Sequence, residues 1–152
     1  MKPRDEGSIA PAVPVLALVL LLLAGLVVDA SRQLTERGRA VAYAEEAARA
    51  GAAAIELDAP DLELLPDEQV AARVNAYCGA AAAAGAPLVD PGNCFRGTTR
   101  TGDPQARRIV VQTHVELVQP TTLLGIVGVR ELRASGDGRA RPFEGTREED
   151  AS

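Results

Sequence analysis

Residues 9–28 read IAPAVPVLALVLLLLAGLVV, and residues 29–57 continue DASRQLTERGRAVAYAEEAARAGAAAIEL. The first run holds no charge over its 20 residues. At ~1.5 Å per residue a helix of that length spans ~30 Å, the hydrocarbon thickness of a bilayer. A single span must satisfy its backbone polar groups within itself, so it must be helical. Ser8 is placed to cap it, and Pro11 falls in the first turn, where a missing N–H costs little. Pro14 lies deeper and predicts a bend. Asp29 closes the run and marks the far interface. A cleaved signal ending at Ala30 is the main rival, but the run exceeds the ~7–15 apolar residues of such signals and no helix breaker precedes the site. A buried core helix is excluded on size, because the remaining ~120 residues could not surround it.

The second run lacks Pro and is rich in Ala, Arg and Glu, all good helix formers. Asp29–Arg32, Arg32–Glu36 and Glu45–Arg49 are opposite charges at helical spacing, each worth ~0.2–0.5 kcal/mol. The span therefore reads as continuing into one helix to about Leu57. Leu34, Val41, Ala48 and Ile55 recur every seven residues, which predicts an apolar helix-packing seam along a solvated rod. Ala40, Ala44, Ala47, Ala48, Gly51 and Ala52 would let another backbone approach closely. Two readings of them stand side by side: packing against the chain's own globular part, or against another subunit.

Gly7-Ser8-Ile9, the apolar run, then Ala24-Gly25-Leu26-Val27-Val28-Asp29-Ala30-Ser31-Arg32 and the Ala-rich Ala44–Ala52 stretch resemble the N-terminal segment of the TadE/TadG-like family. These are assembly proteins and pseudopilins of tight-adherence (Flp-type) pili. The resemblance covers about residues 7 to 55, with Gly7, Asp29 and Arg32 at the membrane boundaries. It implies a pilin-like architecture, a non-enzymatic role in pilus assembly, and partners among pilus or pseudopilin subunits and assembly platform proteins. Members cleaved by prepilin peptidase carry Glu five residues after the Gly; Ala12 stands there here. The chain resembles more closely the TadG-like branch, which generally keeps its N-terminus as a membrane anchor, and this favours an anchored assembly component over a polymerised major pilin.

Ala59-Pro60-Asp61 is expected to break the long helix. A second helix starts at Pro66-Asp67-Glu68, with Pro and acids in its first turn. Its buried face is predicted to hold Val70, Val74, Tyr77, Cys78 and Ala81, and Gly79 or Gly85 to end it. Residues 85–104 are rich in Gly, Pro, Asn and Asp and read as loop. RIVVQTHVELV, residues 108–118, alternates as a strand, with Ile109, Val111, Thr113, Val115 and Leu117 on one face. A weaker strand over Val129–Arg139 would pair with it antiparallel. The apolar Leu123–Val127 knob between them is expected to cap the core, with a contact to membrane or partner as the other reading. So small a domain benefits from a staple, and Cys78 and Cys94 are the only cysteines. Disulfides persist outside the cytosol, which agrees with an exported C-terminal part.

The expected organisation is α+β. A cytoplasmic N-terminus (1–8) precedes the transmembrane helix (9–28) and its extracytoplasmic extension (29–57). A small disulfide-stapled helix-plus-antiparallel-strand domain (58–141) and a disordered acidic tail (142–152) follow. Lys2 and Arg4 precede the span and Arg32, Arg37 and Arg39 follow it. The domain is still expected outside, because long segments translocate largely regardless of charge.

Catalysis finds no support. His114 is the only imidazole and sits mid-strand, and the cysteine spacing is not C-x-x-C. No phosphate loop, dinucleotide fingerprint or G-x-S-x-G occurs, so no cofactor, metal or small-molecule substrate is expected. Asp58, Asp61, Glu63, Asp67 and Glu68 lack calcium-loop spacing. A net charge of −5 and 3% aromatics argue against nucleic acid. The alternative function is a membrane-tethered extracytoplasmic binding module unrelated to pili.

Overall fold

The computed structural model describes residues 12–56, 63–101, 108–121 and 124–142. The chain order is α1 (Ala12–Ala52), β1 (Ile55–Glu56), β2 (Glu63–Leu64), α2 (Asp67–Ala83), β3 (Phe95–Thr101), β4 (Arg108–Pro120), a 3₁₀ turn (Leu124–Val127) and β5 (Glu131–Ala140). The fold is mixed α and β: a long N-terminal apolar helix, a second helix and an antiparallel sheet of order β3-β4-β5. Gly7, Ser8, the Ala59–Asp61 break, Leu57, Leu123 and the acidic tail from residue 143 lie outside the described residues.

Two physically different surfaces share α1. From Val13 to Val28 its large apolar side chains are 42–69% exposed, so the described residues leave them largely uncovered. Each such side chain gains ~1.5–3 kcal/mol on leaving water, and the helix is a candidate membrane span by length and composition. Beyond it Asp29 is buried, and then Ala40, Ala44, Ala47, Ala48, Gly51 and Ala52, a stripe at helical spacing.

That stripe lies on the chain's own sheet. β5 alternates buried and exposed, with Ala134, Gly136 and Gly138 inward. A Cβ on Gly136 would overlap the backbone of Ala40 and Val41, and one on Gly138 the backbone of Ala44 and Glu45. Small residues on both surfaces thus let helix and strand meet backbone to backbone. Next to Gly138 in register is Thr113 on β4. Its buried hydroxyl donates to the Ala44 carbonyl at 2.6 Å. Thr113→Val keeps the shape and removes the donor, so a loss of about 1 kcal/mol is expected in a urea titration.

β4 supplies most of the remaining core. Ile109, Val111, Thr113, Val115 and Leu117 are all buried, as the alternation predicts. α2 adds Val70, Val74 and Cys78, with Tyr77 and Ala81 half-buried. Burial pushes the Tyr77 phenol above its ordinary pKa, and Glu46 and Tyr43 on α1 add to the effect. Gly85, at φ +100°, ends α2. The N–H of Gly85 donates to Ala82 and that of Ala86 to Ala81, a Schellman closure.

Three expectations need correction. α1 stops at Ala52, not near Leu57: Gly51 is wedged against Val70, Val74 and Val111, and Ile55 turns away to pair with Leu64. Residues 85–104 are not all loop, because Phe95–Thr101 form an edge strand along β4 with a bulge between Phe95 and Gly97. FRGTTRT carries one large apolar residue, so it has no alternation to read; its order comes from β4's hydrogen bonds. The extension of the span is not a solvated rod, since its small-residue face is a wall of the core.

Candidate functional site

For a protein built this way the informative regions are the membrane-proximal junction, the staple and the helix face left open. Asp29 sits where α1 leaves its apolar half, and is only 1% exposed. Its Oδ2 accepts the backbone N–H of Leu124 at 2.9 Å, across 95 residues of chain. The end of the span is therefore tied to the turn that follows β4. Arg32, one turn further, is exposed. Together with Gln33 and Glu36 it borders a cleft against Gln119 and Leu132 of the sheet. Glu36 Oε1 accepts Arg39 at 2.9 Å, and its buried Oε2 has no hydrogen-bond partner among the described residues.

Leu124 and Ile126, the described apolar side chains of the turn, stand outside the core cluster; Leu123 and the Val127 side chain are not among the described residues. Leu124 is half-buried, and Ile126 is 75% exposed. The turn is held against α1 through Asp29, and the core is already closed by the Ala stripe and β4.

Cys78 of α2 is bonded to Cys94, at the entrance to β3, with their Cα atoms 6.6 Å apart. Asn75 Oδ1 accepts the N–H groups of Cys94 and Phe95 at 3.0 and 3.3 Å. The Cys94 carbonyl accepts the His114 N–H at 2.8 Å. The staple thus fixes the start of the edge strand onto helix and sheet at once. Asn75 is a positioning residue that sequence reasoning missed; only its place one turn before Cys78 hints at it.

The heptad seam is not brought together. Ala48 is sealed in the core, Val41 is half-buried, and Ile55 is in β1. Leu34 alone is open, at 73% exposure. It lies with Ala30, Gly38 and Ala42 on an exposed line of spacing four. A Cβ on Gly38 would meet nothing within 4 Å. A strict seven-residue repeat holds only where a partner helix sets the period; here β5 sets it.

His114 lies on the sheet face away from α1, with Nδ1 2.7 Å from Asp137 Oδ1 in the directly opposite cross-strand pair. Asp137 is 77% exposed, so the pair is a surface contact. Among the described residues no group of His, Cys, Asp and Glu could hold a metal ion.

These features define a class: a small stapled α+β domain built on the upper half of an apolar anchor helix. The N-terminal third also carries a family signature. Residues 7–54 match the family model described as Putative Flp pilus-assembly TadE/G-like. The match ends within two residues of α1, so it takes in the span, Asp29 and the whole Ala stripe. It supports a role related to pilus assembly, and with it association with membrane and pilus components. Comparisons with curated proteins and with solved structures give no match.

Proposed function

We propose that this chain is a non-enzymatic, membrane-anchored component of a tight-adherence (Flp-type) pilus assembly system. The observation that carries the reading is the coincidence of the 7–54 match with a helix bare on its lower half and built into a folded domain on its upper half. The N-terminus is cytoplasmic, the chain crosses once, and the domain lies outside. The Cys78–Cys94 bond supports that orientation, because disulfides persist outside the cytosol. The mechanism is mechanical: the span holds the chain in the bilayer, and an exposed helix face packs against pilus or pseudopilin subunits or the assembly platform.

The open line through Ala30, Leu34, Gly38 and Ala42 is that packing face, since small residues let a second helix approach. Leu34→Glu is expected to abolish piliation in the native host while the protein stays membrane-bound, abundant and disulfide-bonded. The side chain is already exposed, so the domain should lose less than about 0.5 kcal/mol. Normal piliation in that strain would remove the packing face. Normal piliation after deletion of the whole gene would remove the assembly role and leave a tethered binding module.

A further inference from the structure

We propose that the 3₁₀ turn Leu124–Val127 is a second membrane contact, with Ile126 seated in the lipid interface that α1 crosses at Asp29. The inference rests on the anchor reading above and adds to it a lipid-facing element from the opposite end of the chain.

Position carries the argument. The Leu124 N–H is bonded to Asp29, the residue that ends the apolar run, so the turn stands at the level where the helix leaves lipid. Beside this contact Val27 and Val28 are 68% and 42% exposed, and Ile126 is 75% exposed. Apolar side chains are thus exposed both on the end of the span and on the turn bonded to it. The turn is also held in shape. Gly128, at φ +92°, donates to Gly125, Val129 donates to Leu124, and Thr121 donates to Arg130. An apolar tip presented at the end of a membrane span meets the boundary of acyl chains and headgroups, into which the apolar face of an interfacial helix sinks ~5–10 Å. Exposed Arg130, three residues past the turn, is suited to the phosphate level.

The chain has no Trp, so Ile126→Trp introduces a single indole. The full-length variant is reconstituted into phosphatidylcholine vesicles, with and without phosphatidylglycerol. Ala72→Trp, exposed on α2, serves as the distant reference. Flotation with the vesicles reports the anchor. The Ile126→Trp emission is expected to be blue-shifted and to lose about half its intensity to a lipid spin-labelled near the headgroup, the depth expected of an interfacial tip. The Ala72→Trp emission should be unaffected. A chain that floats while the Ile126→Trp indole emits as in water overturns the inference and leaves the anchor standing. A blue shift without lipid quenching also overturns it, and points to a protein neighbour. A chain that does not float removes the anchor reading and the inference with it. The unsubstituted protein gives an independent check: photoactivatable lipid should label the tryptic peptide 109–130 within the turn, and no adduct there counts against the proposal.

Discussion

Gly138→Ala is expected to lower the melting temperature of the full chain in detergent by on the order of 15 °C, from a loss of roughly 3 kcal/mol. The added methyl would overlap the backbone of Ala44 and Glu45, not a side chain that could change rotamer. Overpacking usually costs ~1–3 kcal/mol, and the upper end applies where backbone must move. Separating α1 from β5 would also pull the Ala44 carbonyl from the Thr113 hydroxyl, worth a further ~1 kcal/mol. Gly79→Ala is the matching control. Gly79 is an exposed helical residue with nothing within 4 Å of a new Cβ, so the same methyl should stabilise by about 0.5–1 kcal/mol. Thermal melts of the two variants should therefore move in opposite directions. A Gly138→Ala protein that melts with the wild type would mean that helix and strand do not meet as described.

Removing the staple by Cys78→Ala with Cys94→Ala is expected to cost about 3 kcal/mol or more. A loop of this size contributes ~3 kcal/mol in the chain-entropy account. Cys78 and Cys94 are 0% and 2% exposed, so the substitution also empties volume in the core. The margin of a small domain is only ~5 kcal/mol, so this loss consumes most of it. Denaturant midpoints should fall, and reducing the wild type should reproduce most of the fall. Unfolding should begin at the start of β3, where Asn75 and His114 hold the Cys94 backbone. Equal midpoints for oxidised and reduced protein would show that the bond adds nothing to stability.

The legibility of this fold tracks how local the deciding physics is. The charge-free run, the helix signals of α2 and the five alternating residues of β4 are set by short-range pattern, and each was readable. Pattern did not reveal β3, because an edge strand with one large apolar residue takes its order from its neighbour's backbone. Nor did it reveal how Ser135-Gly136-Asp137-Gly138 is used. It lies within the weaker strand expected over Val129–Arg139, but nothing in it shows that its glycines admit Ala40 and Ala44, nearly a hundred residues earlier. The same pairing decides the seam: the alanines between Ala40 and Ala52 allowed an inner or an outer partner, and only β5 selects the inner one. Of the candidate site, the cysteine pair was visible. The bond from Asp29 to Leu124 was not, since nothing in either segment points to the other.

α1 runs unbroken from Ala12 to Ala52, so lipid and sheet are joined by one helix with no hinge between them. Its 41 residues make a shaft of ~60 Å. The compass direction of the domain is therefore fixed by the rotation of the helix in the bilayer, and a tilt of the anchor is a tilt of the domain. In the proposed pilus role, a tug from a growing fibre would reach the membrane through the backbone bonds of a single stiff strut, with no slack to take up first.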